Sequence, residues 1–241
     1  MYTLRLSDPV NVNYTEDYRD ASVARQMGMD FYFGGNKNLE KVSHDAGVTI
    51  EQTKTVLKQV YEINRAVSKR FIKWDVNSII DYLINTHHKY TKENAVMIYD
   101  LTQKVLYRPN KNHIEFTKIA TELFLFLQSL LNYLKKEEQV LFPSIKQLIS
   151  NKISPIKGTN AAFGCSKNAV MAIRNEHRVA CKELKRLRKL THNYMPSIDE
   201  CFSYKNLFEK MREFENELFL YAYLENNILV PKVLALMENR E

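Results

Sequence analysis

One pattern occurs twice in the chain. Tyr133 and Glu137 precede Val140-Leu141 and Pro143, and Tyr221 and Glu225 precede Ile228-Leu229 and Pro231. Both copies read Tyr-x-x-x-Glu-x-x-(Val/Ile)-Leu-x-Pro. A spacing of four sets phenol and carboxylate a turn apart on one helix face. Two helices built this way present the same pair to whatever lies between them. A carboxylate from each of two helices, aimed into a bundle, is how di-iron carboxylate sites are assembled. Such a site also needs imidazoles, and the chain supplies them only in part.

The elements that must hold these residues are long helices. From about Asp75 to Tyr107, His113 to Ile149, Lys167 to Tyr194 and Ser203 to Asn239 the apolar residues recur with helical period. Asp75 or Asn77 is a natural N-cap for the first. Pro143 and Pro231 fall in the last turns of the second and fourth, where the ring clashes with the carbonyl four residues back and predicts a kink. The connections between these long helices, Arg108-Pro109-Asn110, Ser150 to Gly164 and Met195-Pro196, are of lengths that favour an up-down-up-down four-helix bundle over 75–239. Ahead of it stand a polar lead-in (1–16), a compact unit of short helices (17–63) and a basic connector (64–74). In the compact unit Thr49 and Gln52 form a capping box.

Antiparallel neighbours share a depth when they are equally far from their joining loop. His88 lies about 19 residues before Tyr107 and Tyr133 about 20 after His113; His177 lies about 17 before Tyr194 and Tyr221 about 18 after Ser203. At roughly 1.5 Å per residue these offsets agree within a turn. His88, Tyr133/Glu137, Glu176/His177 and Tyr221/Glu225 are therefore predicted to form one polar layer in an apolar core. His87 and Glu138 adjoin layer residues and are expected off the axis, because neighbours on a helix diverge by about 100°; Glu138 reads as solvent-facing. Phe124, Leu127, Leu130, Leu131 and Leu134 read as core packing. His44, His113 and His192 have no companions and read as structural or exposed.

Composition narrows the class. The chain has 241 residues, is 45% hydrophobic and has only 6 Gly and 6 Pro, which suits a large helical core. No apolar run approaches the roughly 20 residues of a membrane helix, and Met1-Tyr2-Thr3-Leu4-Arg5 lacks the apolar region of a signal peptide. The expectation is a cytoplasmic protein with no membrane partner. Cys165, Cys181 and Cys201 are scattered and form no C-x-x-C pair, so they read as thiols. Much of the net charge of +7 lies in Lys182-Glu-Leu-Lys185-Arg186-Leu187-Arg188-Lys189-Leu190. Its leucines make a stripe and its basic residues an outer, solvated face. An acidic partner is the sharper alternative, and no motif supports nucleic acid.

Asp30-Phe-Tyr-Phe-Gly34-Gly35, Leu39, Ala46-Gly47-Val48 and the Thr49 helix resemble the N-terminal domain of Repair of Iron Centres proteins. Ile79-Ile80-Asp81 with His88, Lys136 to Pro143, Asn175-Glu176-His177 and Leu224 to Pro231 resemble that family's hemerythrin-like domain. The likeness runs in order over about 17–238. It implies an all-α fold and a cytoplasmic di-iron protein, associated with restoring iron–sulfur clusters damaged by nitric oxide or peroxide. On these motifs His88, Glu137, Glu176, His177 and Glu225 match metal-site positions, with Glu137 and Glu225 the bridging carboxylates. Damaged iron–sulfur proteins are the implied partners.

The departures sit where the chemistry is decided. Tyr133 and Tyr221 replace the His four residues before each bridging Glu, and Tyr32 and Phe33 replace a Cys-Cys pair, so any redox role of that pair is lost. Two readings remain. The layer holds iron, as one or two ions, with the tyrosines as ligands or as hydrogen-bond donors behind the ligands; tyrosinate is a hard oxygen donor to iron. Alternatively the layer is a metal-free polar network, tolerable if every member is satisfied, in a bundle that binds a partner or a second copy of itself. No catalytic residue is identified.

Overall fold

The computed structural model describes residue 40 and residues 43–44, 47–55, 71–107, 113–153, 167–196 and 202–238. Residues 1–39 and 56–70 lie outside these, including Tyr32, Phe33 and nearly all of the lead-in and connector. The Thr49 capping box is formed: the Thr49 N–H donates to Gln52 Oε1 at 2.9 Å and the Gln52 N–H to Thr49 Oγ1 at 3.1 Å.

Four long helices follow. α1 comprises Val76–Tyr82, a π turn Leu83–His88 and Lys89–Leu106. α2 comprises His113–Lys136, a π turn Glu137–Leu141 and Phe142–Ile153. α3 is Lys167–Leu190, and α4 comprises Phe202–Leu224, a π turn Glu225–Leu229 and Val230–Glu238. Asp75 caps α1 by accepting the Ser78 N–H at 3.0 Å. Each helix packs on its two neighbours, α1 with α2 and α4, and α3 with α2 and α4. Cross-links fix the antiparallel sense: Arg186 pairs with Glu122 at one depth of the α3–α2 contact, and His88 with Glu138 and Lys146 with Asp81 at two depths of the α1–α2 contact. The fold is all-α, and the bundle is the one the loop lengths predict. Among the described residues no helix is long and apolar enough to cross a membrane.

Two differences have physical causes. Pro143 and Pro231 are each preceded by a π turn. The Phe142 N–H bonds to the Glu137 carbonyl and the Val230 N–H to the Glu225 carbonyl, five residues back, at the last residue before each proline. A wider turn takes up the ring that would otherwise strike the carbonyl of Gln139 or Asn227. α3 stops at Leu190, short of Tyr194. His192, Asn193 and Tyr194 have φ of 48°, 61° and 59°, and this left-handed turn buries Tyr194. Within the basic run Leu184 and Leu187 are buried as predicted. Arg188 departs from the solvated face: it turns inward and pairs with buried Glu215 at 3.0 Å.

The core is divided. One apolar cluster includes Ala95, Ile98, Phe126, Leu130, Leu184 and Phe219. The other includes Ile80, Leu83, Leu134, Phe142, Ile173 and Leu229. The polar layer lies between them. Phe124 and Leu131 are half-buried against the first cluster, which Leu127 and Leu130 join, and Leu134 is in the second. Cys181 is a buried thiol.

Candidate metal centre

The layer draws on all four helices. His88 of α1, Glu137 of α2, His177 of α3 and Glu225 and Tyr221 of α4 are almost fully removed from solvent. The Tyr133 hydroxyl is buried too. Each Glu faces an imidazole of a neighbouring helix. His88 Nε2 lies 3.5 Å from Glu137 Oε2, and His177 Nε2 lies 2.9 Å from Glu225 Oε2. The Tyr221 hydroxyl donates to Glu137 Oε2. The Tyr133 ring meets His177 edge-on at 5.9 Å, and Tyr221 meets both His88 and His177 edge-on.

The residue after each Glu holds the other face of the same imidazole. Glu138 Oε1 is 2.8 Å from His88 Nδ1, and Asn226 Oδ1 is 3.1 Å from His177 Nδ1. Glu138 is not solvent-facing as predicted. It orients His88 and is itself gripped by Lys92 at 2.7 Å through both oxygens. Diverging by about 100° from the inward Glu137, it faces the neighbouring helix α1, where His88 lies. Asn226 occupies the same place in the second copy. His87 is also buried, off the layer axis, with Nδ1 2.8 Å from Glu217 Oε1. No spacing rule in the sequence links those two residues.

Glu176 stands apart from the other six predicted residues. Its side chain is 40% exposed and lies 3.9 Å from Lys136 at the rim. It lines a groove of about 270 Å³ between α2 and α3, together with Lys136, Ala172 and Ile173. That groove reaches Tyr133 and Glu137. Of the remaining histidines, His44 and His192 are exposed.

Burial governs the protonation of the layer. It pushes Glu225 up to about 8, against the opposing pull of the neighbouring Glu137, Tyr221 and Tyr133. It raises Glu137 well above the carboxylate range, with the Glu225 charge adding to the effect. It holds Tyr133 and Tyr221 far above 10, reinforced by the two carboxylates. His88 is lowered to about 4 by desolvation against the pull of Glu138, and His177 is lowered for the same first reason. For Glu138 burial raises the carboxyl, but the bonds from Lys92 and His88 outweigh it and leave it lowered. The consistent proton assignment has Nδ1–H of each histidine donating to Glu138 or Asn226, which turns both Nε2 lone pairs into the layer.

Whether a cation fits is decided by the buried polar atoms. His88 Nε2, Glu137 Oε1, both Glu225 oxygens and the Tyr133 oxygen are buried without a hydrogen-bond partner. Converging buried acceptors of this kind are costly unless something positive lies among them. The donors, imidazole nitrogen with carboxylate and phenol oxygen, are those of iron or manganese sites. Among the described residues no three His, Cys, Asp or Glu side chains are arranged by themselves to hold a metal ion. A cation here draws on the phenols as well.

The profile of the Hemerythrin HHE cation binding domain matches residues 79–233, more than half of the chain. The chain belongs to the hemerythrin family. It is also similar to curated proteins along most of its length. A probable iron-sulfur cluster repair protein of Haemophilus influenzae is 27% identical over 215 residues, covering 88% of this chain and 90% of that protein. The iron-sulfur cluster repair protein YtfE of Enterobacter sp. is 26% identical, covering 90% and 92%, and that of Yersinia pestis 23%, covering 90% and 91%. As a hemerythrin-family member the chain keeps the bundle and a four-helix polar layer, and the two tyrosines lie inside that layer.

Proposed function

We propose that the chain is a divergent iron–sulfur cluster repair protein, acting in the cytoplasm under nitrosative or oxidative stress on proteins with damaged clusters. Its bundle binds iron, as one or two ions, through His88, Tyr133, Glu137, His177, Tyr221 and Glu225. The observation that carries this is the convergence of two imidazoles, two carboxylates and two phenols in one buried layer, with acceptors left unpaired. Likeness to iron-sulfur cluster repair proteins over about nine-tenths of the chain supports the repair role. Residues 17–63 are proposed to form the small N-terminal domain of that architecture. Iron held here would supply redox chemistry or be handed to a cluster. The protein's own residues bind, exclude water and manage protons: Glu137 and Glu225 are held neutral by burial and give up their protons to a cation, while Glu138 and Asn226 keep the imidazoles aimed.

The test is metal content by mass spectrometry on protein purified without a metal-affinity tag. One or two irons per chain, lost in Glu137→Ala with Glu225→Ala while the protein stays helical, is the expected result. Unchanged stoichiometry in that double variant would remove the layer from the site.

A second reading is favoured by the bonds within the layer. Tyr221 already donates to Glu137, and Glu225 is already paired with His177. A layer closed on its own protons is a metal-free bundle that works by binding a partner, a second copy included. No iron in the purified protein, and none taken up from ferrous iron without oxygen, would establish it.

A further inference from the structure

The two halves of the layer are related by the sequence repeat, yet they differ at both faces of the histidine. On the α1–α2 side the Nδ1 partner is a carboxylate, Glu138. On the α3–α4 side it is a neutral amide, Asn226. A carboxylate behind an imidazole raises its basicity and helps carry the charge of a bound cation, and removing such a partner costs about 10- to 100-fold in metal affinity. Lys92 offsets part of the Glu138 charge, but its side chain is 45% exposed and screened by water. Glu138 lies directly against the ring.

The inward faces differ too. His88 Nε2 is 3.5 Å from the nearest Glu137 oxygen. His177 Nε2 lies closer to its carboxylate, 2.9 Å from Glu225 Oε2, a contact that a cation arriving there must part. Tyr221 engages Oε2 of Glu137 but leaves Oε1 buried and unpaired.

We infer that the layer is two inequivalent cation sites filled in order, the His88–Glu137 half first, with Glu138 and Asn226 as the positioning residues that set the order. This rests on the iron reading above. Neither Glu138 nor Asn226 touches the cation; each acts through its histidine.

The test uses the full chain, stripped of metal and titrated without oxygen with Co(II), followed by its visible absorption, with Fe(II) uptake by equilibrium dialysis in parallel. The expected result is one tight step, abolished by His88→Ala and retained by His177→Ala. Glu138→Gln, which keeps the shape of the contact, weakens the tight step by about 10-fold or more. Asn226→Asp strengthens the second site and narrows the gap. Circular dichroism checks that each variant remains helical. Loss of the tight step in His177→Ala but not in His88→Ala, equal occupation of both halves, or a Glu138→Gln titration identical to wild type would overturn the ordering. No uptake of either metal by the wild type would instead overturn the iron reading, and the ordering with it.

Discussion

Tyr221 on α4 donates its phenolic proton to Glu137 on α2, across the middle of the bundle, where neither side chain reaches water. The bond couples the first copy of the repeat to the second. It gives a buried carboxyl group a donor that the adjoining imidazole, at 3.5 Å, does not supply. Tyr221→Phe keeps the ring and removes only the donor. The expected effect on metal-stripped protein is a loss of about 1–3 kcal/mol, the cost of leaving a buried polar group without its partner. Urea unfolding measures it. An unchanged midpoint would mean that Glu137 finds another donor at no cost.

The layer also fixes how stability depends on pH. Burial raises Glu225 from 4.5 to about 8. The folded protein therefore keeps a proton that the unfolded chain has released. That contribution is full below pH 4.5 and is lost as pH rises through 8. His88 runs the other way, lowered from 6.5 to about 4. Its contribution is full above 6.5 and is lost as pH falls through 4. Between 4.5 and 6.5 the two oppose each other, and between 6.5 and 8 Glu225 acts in the same direction as Glu137, which burial also raises. The urea midpoint of metal-stripped protein is expected to fall from pH 6.5 to pH 8, and Glu225→Gln to flatten part of the decline. Cation affinity should rise over the same interval, because the carboxyls must shed protons to bind. A midpoint that climbs from 6.5 to 8 would show Glu225 already ionised in the fold.

The layer itself was legible because helical rise is constant. Counting from the loops placed His88, Tyr133, His177 and Tyr221 at one depth, and they meet there. Glu138 was misread because a residue about 100° from the inward Glu137 faces the neighbouring helix α1 rather than water, and there it meets His88 Nδ1. The prolines did signal a disturbance, but only the structure shows it taken up as a widened turn. Glu176 was drawn to the site by resemblance, while helix geometry beside an inward His177 sends it to the rim. Arg188 and Glu215 pair across two helices, and His87 and Glu217 do the same, contacts that no local spacing encodes. The left-handed turn at His192–Tyr194 uses no glycine, so nothing in composition announced it.

The prolines give a separable prediction. Pro143→Ala restores a backbone N–H and removes the ring that the π turn accommodates. The turn at Glu137–Leu141 can then relax toward α-helical geometry, which swings Glu138 away from His88. The protein is expected to remain folded, since removing proline from a helix interior relieves strain. Cation affinity should drop, as for Glu138→Gln. Thermal unfolding and Co(II) titration on the same sample separate the two effects. Affinity equal to wild type would mean that packing, rather than proline, holds the π turn.

The tyrosines give the strongest contrast. At neutral pH both phenols are held protonated by burial and by the carboxylates beside them, so a cation must displace a proton before either oxygen becomes a ligand. Imidazole at the same positions offers a neutral lone pair without that step. Tyr133→His with Tyr221→His should therefore bind iron more tightly and approach two irons per chain, measured by mass spectrometry after competition with a chelator. Any visible absorption that tyrosinate gives the ferric wild type should vanish in the double variant. Stripped of metal, the variant should be less stable than wild type by about 2–4 kcal/mol, because smaller rings leave space and Glu137 loses its donor. Metal should restore that stability by mass action. Equal iron affinity in the two proteins, with no visible band in either, would show that the phenols never ligate and serve only as hydrogen-bond donors.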